Sequence, residues 1–303
     1  MMRVTTRMIF EKSMDNLTRS WNDIGRLQAQ LGTGKRISLP SDDPIGTTRA
    51  ISARSGLRAN EQFQRTLQDT QLFVNSSEGA VLRMADVAAE IQTIAVQLAD
   101  DATGESGAMA LEYQLDQLLE EMLSLANTEY AGIRIFGGHA SDRNAFEAVR
   151  DKEGKISGFA SSVRGGEEDV QRLVGKDVLL TINLSGSDLF GEGLSFVDHV
   201  VQLRDAARSN DTATAAELIP TLEADGDQVN LALAVTGGLI TRVDNLNQQL
   251  GAEALQLESS RAEYEDLDMA EATMQLQIEQ AILQAALTAT TETLGLSLVN
   301  FMQ

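Results

Sequence analysis

Between Phe10 and Leu31 the residues Phe10, Met14, Leu17, Trp21, Ile24, Gln28 and Leu31 follow alternating steps of four and three, and only Gln28 is polar. A step of 3.5 returns side chains to one side of an α-helix, so this stretch predicts a helix whose stripe must be buried against another helix. The carboxyl end repeats the pattern. Val243, Leu246, Leu250, Ala254, Leu257, Arg261, Tyr264 and Leu267 keep the same steps, and a last stretch carries Leu276, Leu283, Leu287, Leu294, Leu298 and Phe301. Both chain ends are therefore expected to be coiled-coil-like.

The first seam stops at LGTGKRISLPSDDP, where Gly32 and Gly34 end the helix and Pro40 and Pro44 supply two of only three prolines. Pro40, Ser41, Asp42, Asp43 and Pro44 read as a structural turn and a helix restart. Asp43 caps the new helix by accepting a backbone N–H, and Pro44 fits the first helical position, where an N–H has no intrahelical partner. A long helix follows to about Leu98, with a possible break near Asn75–Gly79. Its apolar set is Val81, Met84, Ala88, Ile91, Ala95 and Leu98. After the polar loop DDATGESG, the set Leu111, Leu115, Leu118, Met122 and Leu125 predicts another helix, antiparallel to the previous one.

The period then changes. Short runs such as FEAV, ISGFASSV and DVLLTINL, separated by KEGK, GGEE and SGSD, predict strands and turns over 137–193, with Gly165-Gly166 in a turn. Helical spacing returns with LSFVDHVVQLRDAA and, past Pro220, continues to the carboxyl end.

Composition removes most chemistry. There is no cysteine, which excludes thiol nucleophiles and cysteine-ligated metal, and the two histidines, His139 and His199, lack the clustered ligands a metal site needs. Gly34-Lys35 is followed by Arg36 rather than Ser or Thr, so no phosphate loop is present. Acid pairs such as Asp42-Asp43, Asp100-Asp101 and Glu120-Glu121 read as caps and solvated faces, because adjacent helical residues diverge and no histidine accompanies them. No catalytic, cofactor or metal residue is predicted, and no small-molecule substrate. The net charge of -21 argues against nucleic acid. That charge is uneven: residues 1–65 hold 11 Lys+Arg against 6 Asp+Glu, whereas 217–303 hold 2 against 14. The two ends are thus electrostatically complementary. The start lacks the apolar run of a cleavable secretory signal, and no window reaches the roughly 18–20 apolar residues of a membrane span.

Three stretches carry a family resemblance. RVTTRMIF…NLTRSWNDIGRLQAQLGTGKRISLPSDDP, followed by Arg49, resembles the amino-terminal signature of the hook-associated protein 3 (FlgL) family of the bacterial flagellin-like superfamily. LANTEYAGIRIFGGHASDRNAF is similar to the family's approach to its variable domain, with Ile135 where Leu is usual. AEYEDLDMAEATMQLQIEQAILQAALTATTETLGLSLVNFM is similar to its carboxyl-terminal helix. Flagellin has a similar layout but usually lacks the Pro-Ser-Asp-Asp-Pro turn.

The resemblance implies a non-enzymatic axial subunit, exported unfolded by the flagellar type III apparatus, that joins hook to filament outside the cell. Implied partners are hook-associated protein 1, flagellin neighbours, further copies of itself in a ring or tubular layer, and a cytoplasmic export chaperone on the carboxyl-terminal helix. The expected fold is mainly α with an inserted β domain: terminal helices 1–31 and 266–303, a helical bundle from 32–136 and 194–265, and a small β domain at 137–193. The expected subunit interface is Phe10, Met14, Leu17, Trp21, Ile24, Leu31, Leu283, Leu287, Leu294, Leu298 and Phe301. Alternatives are a flagellin filament subunit and a coiled-coil adaptor or signalling module, the latter a dimer with ordered ends in dilute solution.

Overall fold

Two helices exceed fifty residues each, at 55 and 54. The computed structural model describes residues 6–100, 104–138, 144–161 and 169–301, without the side chains of 6, 7, 9, 10 and 292–301. His139 and Gly165-Gly166 lie outside the described residues. In order come α1 (Thr6–Thr33), α2 (Pro44–Leu98), α3 (Gly104–Ala126), the strands β1 (Glu129–Tyr130), β2 (Ile133–Arg134), β3 (Phe146–Arg150), β4 (Ile156–Ser161), β5 (Gln171–Gly175) and β6 (Val178–Thr181), then α4 (Gly186–Phe190), α5 (Ser195–Ser209), α6 (Thr212–Glu265) and α7 (Met269–Phe301). The protein is mainly helical, with β structure confined to the middle.

The expected interruption near Asn75–Gly79 does not occur. α2 is unbroken across Asn75–Gly79, where the Ser77 hydroxyl donates to the Phe73 carbonyl four residues back and stays inside the helical ladder. α6 starts at Thr212 and passes through Pro220. The proline lies in the first turns of a long helix, so the one bond it removes is outweighed by the packing of Leu218, Leu222 and Val229, all buried.

The chain divides into two compact units: residues up to Ala59 together with those from Ala252, and Asn60–Gly251. Both divisions fall inside continuous helices, α2 and α6, rather than at the helix ends used for the sequence boundaries.

In Asn60–Gly251 the predicted seam residues of α2 and α3 form the core: Val81, Met84, Ile91, Leu98, Leu115 and Met122 are fully buried. α3 runs antiparallel to α2, with Arg83 donating to Glu121 at 2.8 Å, but its closest helical neighbour is α5. The strands form three separate antiparallel hairpins. β1–β2 turns through Ala131 and Gly132, both at positive φ (51° and 83°), the geometry of a type I′ hairpin. Residues 137–193, read from sequence as an inserted domain, bury Phe146, Ile156, Val174, Leu180 and Phe190 in the same apolar cluster as α2, α3 and α5. Phe190 makes edge-on ring contacts with Phe146 and Phe159.

An ionic network ties the β3–β4 hairpin to the helices. Arg204 of α5, 2% exposed, donates to the Ile156 carbonyl and to Asp205, while Lys155 lies 2.7 Å from both Glu112 and Asp116 of α3. Arg208 adds a 2.8 Å bond to Glu112. Burial alone would raise the Glu112 carboxyl, but the hydrogen bonds from Lys155 and Arg208 prevail and hold it below its usual range.

Candidate assembly interface

The first unit is built around the pairing of α1 with α7. Gly34, at φ 69°, ends α1 in the left-handed conformation and donates its N–H to the Gln30 carbonyl at 2.8 Å. The chain then reverses through the predicted turn. Asp42 Oδ2 accepts from the backbone of Ser38 (3.1 Å) and Leu39 (2.8 Å), and Asp43 Oδ1 caps α2 by accepting from Gly46 at 2.8 Å. The Gly46 hydrogen bond is the main reason the Asp43 carboxyl is held below its usual range, with Arg36 assisting. A Cβ at position 46 would lie 2.4 Å from Asp43 Oδ2, so only glycine leaves room for the capping carboxylate.

This turn is clasped to the α6–α7 junction. Lys35 and Asp266 form an isolated antiparallel bridge, flanked by Arg36 N–H to the Glu265 carbonyl (2.8 Å) and Leu267 N–H to the Gly34 carbonyl (3.0 Å). The Glu265 side chain, 4% exposed in its residue, accepts from Arg54 Nε at 2.9 Å and lies 2.6 Å from Lys35 Nζ. Arg36 donates to the Tyr264 carbonyl, and Arg49 lies over the Tyr264 ring, 5.1 Å from its centroid. Sequence reading placed Arg261, Tyr264 and Leu267 in a seam and missed this clasp altogether. Its partners lie more than two hundred residues apart, so no local pattern announces it.

Because the clasp places the end of α1 beside the start of α7, the two helices run antiparallel. Leu17 and Ile24 are buried against Leu283, with Leu276 and Ala286 packed around them. The observed seam on α1 is Ser13, Leu17, Ser20, Ile24, Leu27 and Leu31, all buried or half-buried at steps of four and three. On α7 it is Ala272, Leu276, Glu279, Leu283, Ala286 and Thr290. Leu17, Ile24, Leu31 and Leu283 of the predicted set therefore face the helix partner within the chain. Met14, Trp21 (61% exposed) and Leu287 of that set remain exposed. Phe10, Leu294, Leu298 and Phe301 lie outside the described side chains.

α7 has a second apolar face that sequence reading did not separate from the first. Met274, Ile278 and Ile282 are exposed at steps of four, with Ala281 and Ala285 beside them, on the side of α7 turned away from α1. Among the described residues no group of acidic and histidine side chains could hold a metal, and no helix is long and apolar enough to cross a membrane. His199 pairs with Asp225 at 2.7 Å, joining α5 to α6, and burial pushes the Asp225 carboxyl up.

Comparison with known proteins agrees with this architecture. The bacterial flagellin N-terminal helical region matches residues 4–141. Flagellar hook-associated protein 3 of Escherichia coli is 24% identical over 325 aligned residues that cover 98% of both chains, and the protein of that name from Salmonella typhimurium matches equally. Flagellins are also similar, but over less of the chain: that of Xenorhabdus nematophila covers 46% at 23% identity. A flagellar hook-associated protein of Vibrio parahaemolyticus has the same fold, with a TM-score of 0.64 at 16% identity, over 74% of this chain and all of that one. FlgL of Bacillus cereus superposes with a TM-score of 0.57 at 17% identity, over 70% and 99% of the two chains. With the paired terminal helices and the Pro-Ser-Asp-Asp-Pro turn, the chain is similar from end to end to the flagellar hook-associated protein 3 (FlgL) proteins.

Proposed function

We propose that this protein is a structural subunit of the bacterial flagellum that joins hook to filament, outside the cell, through its terminal helices. The observation that carries the reading is the double-faced α7. One face is consumed by α1, and the other, Met274, Ile278 and Ile282, has no cover within its unit. Apolar stripes of this kind are uncommon on free surfaces and mark docking sites. Similarity over 98% of the hook-associated protein 3 chains, against less than half for Xenorhabdus nematophila flagellin, supports the junction role over a filament subunit.

In this reading Met14, Trp21 and Leu287, with Phe10, Leu294, Leu298 and Phe301, face neighbouring subunits: copies of this chain in a ring or tubular layer, hook-associated protein 1 below and flagellin above. Leu17, Ile24, Leu31 and Leu283 hold α1 and α7 together to present them. Export runs through the flagellar type III apparatus, with a cytoplasmic chaperone covering the stripe of α7 until assembly. The protein is not an enzyme.

Deletion of the chain from its host is the direct test. Cells without it should build hooks, release filament protein into the medium and fail to swim, and the wild-type chain should restore attached filaments. Normal filaments in the deletion strain would overturn the reading.

A further inference from the structure

A cleft of about 220 Å3 opens beside the structural turn, with Ile37, Leu39, Pro40, Ala50 and Ile51 forming its apolar wall. Leu39 and Ile51 are more than half exposed, and the Thr47 hydroxyl in the cleft is buried without a hydrogen-bond partner. Arg54 at the rim is engaged by Glu265, but Arg58, one turn further along α2, is exposed and has no ion pair among the described residues. Ile51 and Arg58 are seven residues apart and share a helix face, with a rise of about 10.5 Å between them.

The uncovered face of α7 has the reciprocal pattern. Ile278 is 51% exposed, and Glu271, seven residues before it and about 10.5 Å away, is exposed at the edge of that face next to the α1 groove, where its carboxylate accepts from Gln275 at 3.0 Å. Residues 262–303 contain no Lys or Arg, whereas the first 65 residues are net basic. Both surfaces are exposed in the same chain, so neither is the other's cover within one molecule.

The geometry points to docking of α7 from a second copy of this chain into the turn cleft, antiparallel to α2, with Ile278 of one copy against Ile51 of the next and Glu271 opposite Arg58. The inference rests on the assembly reading and specifies which surfaces of the subunit meet. Because the two surfaces are unlike, each copy offers one of each. The contact is heterologous and propagates around a ring or along a tube instead of closing a dimer. The charge pair sets the register, and the apolar seat excludes water.

The absence of native cysteine makes the test clean. Flagella purified from cells producing the full chain with Ile51→Cys and Ile278→Cys, oxidised after assembly, should yield a ladder of dimers, trimers and higher species. Each single cysteine variant should yield no ladder. Arg58→Glu and Glu271→Arg should each reduce the fraction of cells with attached filaments several-fold, and the double variant should restore it, with monomer melting unchanged throughout. Attached filaments containing the double-cysteine chain but no ladder would overturn this contact and leave the assembly reading standing. Loss of chaperone binding by Ile278→Asp without loss of filament attachment would assign the stripe to the chaperone and overturn the contact as well. Absence of the wild-type chain from purified flagella would overturn both readings together.

Discussion

The carboxylate of Glu265 and the ammonium of Lys35, 2.6 Å apart, join the end of α1 to the end of α6 through a side chain that is almost fully buried on the acidic side and half exposed on the basic side. Burial opposes ionisation of Glu265, and hydrogen bonds from Lys35 and Arg54 overcome that opposition, so its carboxyl titrates below the ordinary value of 4.5. A group depressed in the folded state adds stability that is present above its unfolded pKa and lost as pH falls through the folded one. Glu265→Gln should therefore melt lower than wild type at pH 7, by about 1–3 kcal/mol given the solvent screening of its half-exposed partners. The gap should narrow as pH falls below about 4.5, with calorimetry at pH 7, 5 and 3 as the measurement. A gap that stays constant with pH would show that the ionic part of the clasp contributes nothing.

Gly46 and Asp43 form one unit, since a methyl group at 46 would crowd Oδ2 of the carboxylate whose Oδ1 caps the helix. Gly46→Ala and Asp43→Ala should each cost about 1–2 kcal/mol, the usual worth of an N-cap, and the double variant should cost little more than either alone. Additive losses in urea unfolding would separate the two residues.

Trp21 is the only tryptophan and stands exposed on α1, beside the seam rather than in it. Its fluorescence in the free chain should resemble that of an indole in water and should shift to shorter wavelength when subunits assemble. Leu17→Ala, at the low end of a core truncation, should cost about 2 kcal/mol and speed proteolysis of α1 and α7 while sparing Asn60–Gly251. No difference in cleavage would mean that the α1–α7 pairing contributes little in solution.

The strand segment behaves as part of the helical core in its packing, and this sets a further expectation. Replacing residues 144–185 by a short Gly/Ser linker removes Phe146, Ile156, Val174 and Leu180 from the shared cluster, together with the Ile156 carbonyl and Lys155 ammonium that engage buried Arg204 and Glu112. Unit Asn60–Gly251 should then lose its cooperative thermal transition, because the shared cluster loses buried apolar side chains and Arg204 and Glu112 each lose one buried partner. A retained sharp transition by circular dichroism would mark the segment as an independent insert after all.

The helices, the turn and the Asp43 cap were legible because each rests on neighbours in sequence: an apolar period, a proline pair, a carboxylate three residues before an N–H. The register of the terminal pair was only half legible. Met14 and Trp21 fit a heptad as well as Leu17 and Ile24 do, and the true seam admits Ser13, Ser20, Glu279 and Thr290, which no count of apolar residues selects. The reach of the strand segment into the common core was hidden for a different reason. Alternation tells which face of a strand is apolar, but not whether the surface that covers it belongs to another strand or to α2, α3 and α5.

The clasp also has a consequence in time. Arg36 binds the Tyr264 carbonyl across 228 residues of sequence, and α1 pairs with a helix that is made more than two hundred residues later. At roughly 5–20 residues per second, synthesis separates the two halves of this contact by roughly 10–45 s, during which α1 has no native partner to close upon. Closure of so long a loop is entropically late as well, so the first unit is the slow step of folding. A nascent chain thus spends its early life with the apolar stripes of α1 and α7 uncovered by each other, and in the proposed export route that open state is the one a narrow channel could thread.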